Sequence, residues 1–375
     1  INNFSSSLSL LLTASPPSQK TSMATCVDCL RSGVVADPLS KDVPASIYDF
    51  AELSSAYHHS KNEEKDELWH RMREEARKDV EQEPVLGSYY VCAILAHGSL
   101  ESALATHLGY RLATPNLPGP NLAEVILTVL LDDRAIRKAI REDMKAIKER
   151  DPACVSYVQI MLNFKGFLAI QAHRVAHRLW LTGRVPLALV IQNRVSEVFA
   201  VDIHPGARIG KGVLLDHATG TVIGETAVIG DNVSILHNVT LGGTGKCSGD
   251  RHPKIGDGVL VGAGTHVLGN VKIGHGAKIG AGSVVLKEVP ERTTAVGNPA
   301  RLLGGRNNPI KLTKIPSFTM DHTYEWMWTG RGENHGLRGK PWAQLKTRGC
   351  NGACANASQG SGAFSPFLQL RGQKH

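Results

Sequence analysis

Apolar residues in the first half of the chain recur at helical spacing. Leu68, Met72 and Ala76 follow one another every four residues, and charged residues such as Arg73 and Glu74 fill the positions between them. Similar stretches run through residues 93–112 and 122–147, and segments with Pro and Gly at 115–120 and 183–186 separate them. Since apolar positions three or four residues apart form one face of a helix, the pattern predicts a helical domain over residues 46–200.

The period changes to six residues after Val201. Aliphatic residues begin thirteen six-residue units, and 22 of the 38 glycines lie in residues 201–305. The units begin at Ile203, Ile209, Leu215, Ile223, Ile229, Ile235, Leu241, Ile255, Val261, Val267, Ile273, Ile279 and Val285. Neither a helix nor an alternating strand has this period. Small residues at the corners of a six-residue unit predict a parallel β-helix, in which each unit forms one side of a triangular coil. We place this domain at residues 201–305.

Two interruptions break the period of six. The step from Leu215 to Ile223 is eight residues, and the step from Leu241 to Ile255 is fourteen. The longer one contains a polar excursion at residues 247–254, which a coil can extrude without disturbing its stack. The excursion is either a neutral surface loop or part of a working face. We favour the working face because Arg251 and His252 lie in it.

The two ends of the chain lack both periods. We expect a disordered leader at residues 1–45 and an irregular, disordered tail at residues 306–375. Residues 1–22 are rich in Ser and contain no acidic residue. This composition half resembles a plastid transit peptide and equally resembles translated leader sequence upstream of Met23. We favour the second interpretation.

The formal net charge of +8 is concentrated in the tail. Residues 306–375 hold ten Lys and Arg against three Asp and Glu. The excess therefore belongs to a Gly-rich segment and not to a patterned basic face, so we expect no nucleic acid partner. The longest apolar run, residues 89–96, is far shorter than a membrane helix needs, so we expect no membrane partner either.

The cysteines and histidines give little sign of a disulfide framework or a metal site. Seven cysteines in 375 residues are an odd and sparse set, which favours a reducing compartment. His173 and His177 have the spacing of a zinc pair but lack the Glu that a metalloprotease uses as its base. We expect no metal and a cytoplasmic location, with the plastid as the alternative.

Several motifs of the chain resemble those of serine O-acetyltransferases, and the plant branch most closely. They lie at residues 149–153 (Glu-Arg-Asp-Pro-Ala), 164–167 (Phe-Lys-Gly-Phe), 201–205 (Val-Asp-Ile-His-Pro), 215–220 (Leu-Asp-His-Ala-Thr-Gly), 241–246 (Leu-Gly-Gly-Thr-Gly-Lys) and 249–255 (Gly-Asp-Arg-His-Pro-Lys-Ile). The resemblance implies an α+β fold, with an N-terminal helical domain followed by a left-handed parallel β-helix of hexapeptide repeats. It also implies transfer of acetyl from acetyl-CoA to L-serine, giving O-acetyl-L-serine for cysteine biosynthesis.

Acetyl transfer from a thioester to a hydroxyl needs a base that removes the hydroxyl proton, and neutral imidazole suits this near pH 7. His217 is the candidate base, and the alternative is a solvated corner residue. A carboxylate that accepts from the other ring nitrogen fixes the tautomer, and Asp202 resembles that partner. Asp202 and His217 are fifteen residues apart, close to one eighteen-residue coil, so neighbouring layers of the coil can hold them.

The resemblance also assigns substrate contacts. Asp151 and Asp216 are expected to bind the ammonium group of serine, and Arg251 with His252 its carboxylate, which agrees with their charge types. Asp151 is alternatively a turn residue before Pro152, and Arg251 an exposed loop charge. The expected acetyl-CoA contacts are Gly243, Ala263, Asn298 and Arg301.

We predict a homotrimer or a dimer of trimers, because a triangular coil exposes flat faces whose burial between copies forms grooves. The resemblance implies O-acetylserine sulfhydrylase as a partner, whereas the sequence after Thr323 departs from the family's short terminus and argues against that complex. Two other functions remain open: acetylation of a sugar or another hydroxylated metabolite, and a regulatory binding subunit.

Overall fold

The computed structural model describes residues 66–245 and 248–323. Its first part is helical. The helices are α1 (Glu67–Gln82), α2 (Gly87–Tyr90), α3 (Leu100–Leu112), α4 (Gly119–Asp132), α5 (Arg134–Arg150), α6 (Tyr157–Asn163), α7 (Lys165–Leu181) and α8 (Val185–Phe199), with a 3₁₀ turn at Pro84–Leu86 and a π turn at Val91–Leu95. The described part of the chain has no helix both long and apolar enough to cross a membrane.

Helices α1 and α3 each begin at a residue whose side chain caps the first turn, and each buries apolar residues. Asp66 caps α1 by accepting a hydrogen bond from the Trp69 backbone N–H at 3.2 Å. Met72 and Ala76 are buried on the face predicted for this helix, whereas Leu68 is partly buried and Trp69 beside it lies in the core. Ser99 caps α3 in the same way, through the Ser102 N–H at 3.2 Å.

The second part is a three-sided parallel coil. Its strands are β1 (Val201–Ile203), β2 (Arg208–Ile209), β3 (Leu214–Leu215), β4 (Thr221–Ile223), β5 (Val228–Ile229), β6 (Ser234–Ile235), β7 (Thr240–Gly242), β8 (Lys254–Ile255), β9 (Leu260–Val261), β10 (His266–Leu268), β11 (Lys272–Ile273), β12 (Lys278–Ile279), β13 (Val284–Val285), β14 (Thr294–Val296) and β15 (Arg301–Leu302). They form a five-stranded face in the order β1-β4-β7-β10-β13, a four-stranded face β11-β8-β5-β2 and a six-stranded face β15-β14-β12-β9-β6-β3.

The six-residue period is the register of this coil. Ile203 pairs with Ile223, Ile223 with Leu241 and Leu241 with Val267, each one coil further along. Twelve of the thirteen predicted aliphatic positions are buried, and Ile209 is partly buried against the same core. The predicted parallel β-helix is confirmed. Stacking of equivalent sides in successive coils places each column of aliphatic residues in one continuous interior.

Helices and coil pack through buried polar groups. The carboxylate of Asp143, which is fully buried, accepts from Arg174 Nη2 at 2.7 Å, from Gln171 Nε2 at 3.0 Å and from the Val213 N–H at 2.9 Å. Arg174 also donates to the Gly210 carbonyl at 2.7 Å. Since α5, α7 and the first coil share this network, the described residues up to His322 form one compact unit. The division into domains at residue 200 stays a prediction.

Residues 306–323 were expected to begin a disordered tail, and in the structure residues 310–322 pack on the coil. They are largely irregular in backbone, with one short helix, α9 (Pro316–Thr319). The Ser317 carbonyl accepts from Ser234 Oγ at 3.1 Å, and the Phe318 ring lies 4.7 Å from the Arg150 guanidinium. The sequence did not predict this packing, because an aromatic contact with a helix far away along the chain produces no periodic pattern. The leader at residues 1–45 and the tail after Thr323 lie outside the described residues.

Candidate active site

Most of the predicted site residues lie along the two edges of the five-stranded face. One corner column carries His217, His237, Ala263 and Asn298; we call it the His217 edge. Hydrogen bonds from the backbone step down its coils, from Gly220 N to the Ala200 carbonyl, from Asn238 N to the Thr219 carbonyl, from Gly264 N to the His237 carbonyl and from Gly282 N to the Ala263 carbonyl. The opposite column carries His204, Glu225, Gly243, Arg251 and His252; we call it the Arg251 edge. Across a face, about five extended residues separate the edges, roughly 16 Å.

His217 occupies a left-handed turn between β3 and β4. Its φ is 54° and that of Ala218 is 59°, a conformation that costs L-residues about 1–2 kcal/mol each. The turn accounts for the eight-residue step in the repeat. Its side chain is 73% exposed, with Nε2 3.9 Å from Asp216 Oδ1 and the ring centroid 5.8 Å from that of His237. The strained backbone therefore projects an imidazole out of the coil beside a carboxylate.

The first turn of α7 supports the His217 turn from behind. Lys165 Nζ donates to Thr219 Oγ1. Gly166 lies so close to β3 that a Cβ there would collide with the Leu215 carbonyl oxygen and approach the Ala218 Cβ within 3.1 Å. Only glycine allows this approach. Residues 164–167, which resemble a motif of the family, thus support the exposed turn that carries His217.

Asp202 lies on β1, at the first rung of the five-stranded face. Its Oδ1 accepts a hydrogen bond from Gln192 Nε2 on α8 at 2.7 Å. The described residues show no hydrogen bond or ion pair between Asp202 and His217 in a single chain. The expected contact between these two side chains stays a prediction.

Arg251 and His252 are held by the corner that precedes β5. Arg251 Nη2 lies 2.7 Å from Glu225 Oε2, and Thr226 Oγ1 accepts from the backbone N–H groups of both Arg251 and His252 at 3.1 Å. The Glu225 carboxylate has its pKa lowered mainly by the hydrogen bond from Arg251. Glu225 and Thr226 of one coil therefore hold the loop of the next coil, which carries Arg251 and His252.

The tautomer of His252 follows from its partners. Its Nδ1 accepts from the Thr226 backbone N–H at 3.1 Å, so the ring proton of the neutral form is on Nε2. Burial lowers the pKa of His252, and the charge of Arg251 lowers it further. Gly224 leaves room for the ring, since a Cβ at that position would overlap it. His252 is thus arranged as a neutral N–H donor beside a guanidinium, a pair suited to a carboxylate.

The remaining predicted contacts lie at the end of helix α5 and along the coil. Asp151 ends α5, and its Oδ1 accepts from the Ala153 N–H at 2.8 Å, the turn geometry that was its alternative interpretation. Asp216 lies within electrostatic range of His322, whose pKa is lowered by burial first and by Lys278 next. Asn298 is joined to Pro299 by a cis peptide bond.

The predicted acetyl-CoA contacts divide between the two edges. Ala263 belongs to the His217 edge, two coils below His217, and Asn298 lies at the end of the same column. Arg301 is exposed on β15, which pairs antiparallel with β14. Gly243 lies on the Arg251 edge, where a Cβ would be 3.4 Å from His252 Nε2. No three His, Cys, Asp or Glu side chains within the described ranges are grouped so as to hold a metal ion.

Sequence reasoning missed three polar residues of the site, Gln192, Glu225 and Thr226, and it assigned no role to Lys165 within the motif at residues 164–167. Glu225 and Thr226 stand at a repeat corner directly after a glycine, and a polar pair at such a corner is a usable signal. Lys165 and Gln192 lie on helices whose packing against the coil leaves no mark in the local pattern. Their contacts join positions 54 and 10 residues apart.

Comparison with known proteins identifies the family. A model described as the serine acetyltransferase N-terminal region matches residues 68–172, and a model of bacterial transferase hexapeptide repeats matches residues 252–287. The chain is 60% identical over 305 residues to serine acetyltransferase 1, chloroplastic, of Arabidopsis thaliana, covering 80% of this chain and 96% of that protein. The chain belongs to the serine acetyltransferase family. Members of this family are acyltransferases, and their fold class, helices followed by a left-handed parallel β-helix, is the one predicted.

Solved serine acetyltransferases agree with this fold. The soybean enzyme complexed with serine is 62% identical, with a TM-score of 0.62, and the match covers 63% of this chain and 97% of that one. The enzyme of Brucella abortus strain S19 in complex with coenzyme A is 48% identical, with a TM-score of 0.63, and the match covers 65% of this chain and 97% of that one. The resemblance drawn from the motifs is confirmed.

Proposed function

We propose that the protein transfers the acetyl group of acetyl-CoA to the hydroxyl of L-serine, giving O-acetyl-L-serine. The observation that carries this proposal is the exposed imidazole of His217, held in a left-handed turn on the rim of the coil. The solved relatives support it, because one is complexed with serine and another with coenzyme A.

His217 is the general base of the proposed reaction. As the serine hydroxyl oxygen attacks the thioester carbonyl, the hydroxyl proton passes to the imidazole. The carbon–sulfur bond then breaks, and the imidazolium returns the proton to the leaving thiolate, which departs as the free thiol of coenzyme A. Asp202 holds the ring tautomer and stabilises the imidazolium. Every bond and proton is balanced without a further reactant.

The charged groups of serine select the binding residues. Arg251 and the Nε2–H of His252 receive the carboxylate, since both are donors on one edge of the coil. Asp216, which is 3.9 Å from the His217 ring nitrogen, receives the ammonium group together with Asp151. Serine bound in this way places its hydroxyl at His217.

The proposed site needs two copies of the chain. His217 and Arg251 lie on opposite edges of one face, so a small amino acid does not span them within a chain. In a trimer, the His217 edge of one copy faces the Arg251 edge of the next, and the groove between them holds acetyl-CoA along Ala263, Asn298 and Arg301, with Gly243 on its other wall. A dimer of such trimers through the helical part is the larger form of this assembly.

The test of the function is acetyl-CoA consumption with L-serine. Replacement His217→Ala is expected to lower kcat by about 10²–10⁴-fold, the usual contribution of a positioned base. His70→Ala is a matched control because its side chain is also 73% exposed, on helix α1. Normal turnover by His217→Ala shows that His217 is not the general base. Activity on a sugar but not on serine shows that a sugar is the acceptor.

The compartment and the sulfhydrylase complex extend the proposal. We place the protein in the cytoplasm, with the plastid as the alternative, while its relatives in Arabidopsis thaliana include chloroplastic and mitochondrial forms. Import of a full-chain fluorescent fusion into plastids decides between the two. A complex with O-acetylserine sulfhydrylase remains an implication of the resemblance, and residues 324–375 lie outside the described range.

A further inference from the structure

The first rung of the five-stranded face has a helix for its outer neighbour. Strand β1 pairs with β4 on one side and is the end of the sheet on the other. Helix α8 ends at Phe199, and Ala200 takes a left-handed conformation with φ 56° before β1 begins. The chain therefore reverses sharply, and the last turns of α8 run beside the strand that follows.

This reversal brings Gln192 to Asp202. The amide Nε2 of Gln192 lies 2.7 Å from Asp202 Oδ1, and both residues are partly buried. In the four rungs that follow, the positions in register with Asp202 are Val222, Thr240, His266 and Val284. Asp202 is thus the one carboxylate in its column, and it lies at the only rung of that column that borders α8 within the described coil.

Within the described residues, Gln192 is the only side chain hydrogen-bonded to Asp202, so one oxygen of this carboxylate stays available as an acceptor. Gln192 donates to Oδ1, and a carboxylate has a second oxygen, Oδ2, that accepts independently. An aspartate without such a clamp rotates about its terminal torsion, which is broad. A hydrogen bond to an ionised acceptor is stronger than a neutral one, so it selects one rotation of the carboxylate.

We propose that Gln192 is a positioning residue, which fixes the carboxylate of Asp202 so that its free oxygen is directed to the His217 imidazole. This inference rests on the proposed function, because it needs Asp202 as the partner of His217. Gln192 does not touch substrate in this scheme and acts only through Asp202. Its removal therefore costs catalysis and not substrate binding.

The experiment is a double-mutant cycle with L-serine and acetyl-CoA as substrates. Gln192→Leu is expected to lower kcat about tenfold, the scale of one charge-assisted hydrogen bond, and to leave both KM values unchanged. In an Asp202→Ala background, the same replacement is expected to cause no further loss, because nothing remains to be positioned. Gln192→Glu keeps the side-chain length and places two carboxylates together, so its kcat is expected to fall further than that of Gln192→Leu.

Asn193→Leu is the matched control. Asn193 is the next residue of α8, is exposed and donates its amide to Glu197 Oε1 at 2.6 Å, so its loss tests the helix surface without touching Asp202. Its kcat is expected to stay at the wild-type value. Thermal unfolding of every variant checks that the fold is kept.

Four outcomes overturn the inference, and they separate it from the proposed function. An equal loss from Gln192→Leu with and without Asp202 indicates a structural role, and a raised KM indicates a substrate contact. An unchanged kcat in Gln192→Leu, with a large loss in Asp202→Ala, removes the inference and leaves the proposed function in place. Full activity of Asp202→Ala removes the role of Asp202 itself, and the inference with it.

Discussion

Two buried histidines, His107 and His173, make the stability of the helical region depend on pH. Their side chains lie in the interior, where burial lowers the pKa of His107 to about 4 and that of His173 to about 3. Positive neighbours add to the effect, Arg111 for His107, and His177 with Arg174 for His173. Both rings are therefore neutral at neutral pH, although each is free to take up a proton when the chain unfolds.

We predict that stability falls as the solution becomes more acidic than pH 6.5. Between pH 6.5 and about 4, the unfolded chain binds protons at these two histidines and the folded chain does not. The free energy of unfolding therefore decreases as pH falls, by roughly 1.4 kcal/mol per pH unit for each ring once the unfolded ring is fully protonated. Urea unfolding of the His173→Gln variant at several pH values is expected to show a shallower slope.

Val175→Ala serves as the control for this pH series. Val175 is buried on the same helix, α7, and does not titrate. Its replacement is expected to lower stability at every pH and to keep the wild-type slope. A slope in His173→Gln as steep as in the wild type contradicts the assignment of His173 as a group that is neutral when folded.

At the scale of elements, one corner of the coil is held by side chains that cap the backbone of the preceding coil. Between the four-stranded and six-stranded faces, Asp231 Oδ1 accepts from the Lys211 N–H at 2.9 Å, and Asp257 Oδ1 accepts from the Asp231 N–H at 2.8 Å. His275 Nδ1 then accepts from the Asp257 N–H at 3.0 Å. These contacts satisfy N–H groups that the short strands leave unpaired at the corner.

We predict that Asp257→Ala lowers the free energy of unfolding by about 1 kcal/mol, the net value of one such hydrogen bond. Asp257→Asn keeps an oxygen acceptor and is expected to lose less. Chemical denaturation measures both. Asp250→Ala is the comparison, because Asp250 lies in the loop before β8 and pairs with Lys254 at 2.6 Å on the surface. Equal stability of Asp257→Ala and the wild type shows that water replaces the cap at no cost.

The period of the sequence predicted the coil because each six-residue unit carries its own inward residue. Ile229 and Val261 are buried for a reason that is visible within their own units. The contacts of Gln192 with Asp202 and of Phe318 with Arg150 join elements that the chain brings together only when folded. His217 was found by chemistry and resemblance, whereas its support by Gly166 needs the distance between α7 and β3.

At the scale of the whole molecule, the division of the site between two edges makes a prediction about mixed assemblies. We expect His217→Ala and Arg251→Ala to be nearly inactive when each is made alone. Expressed together in equal amounts, they form assemblies in which a groove receives an intact His217 edge and an intact Arg251 edge about one time in four, so roughly a quarter of the wild-type kcat returns. The measurement is turnover of co-purified chains that carry different tags.

A pair of variants on the same edge is the control for this mixing. A mixture of His217→Ala chains and Ala263→Trp chains is expected to recover less activity. Both changes lie on the His217 edge, so neither chain supplies that edge intact. If the mixture of His217→Ala and Arg251→Ala chains recovers no activity, a single chain provides both edges and the proposed trimer groove is wrong.

The two ends of the coil differ from its middle in a way that fixes its length. At one end the helices lie against β1 and β3, and at the other end β15 runs antiparallel to β14. The backbone of Val284 in the last rung of the five-stranded face is also occupied, by Gly297 and Ala300 of the turn that follows. A parallel stack with bare ends is a template on which further chains add strands and grow into fibres. Because both ends of this coil are covered by its own sequence, the stack terminates within one molecule, and association is left to its sides.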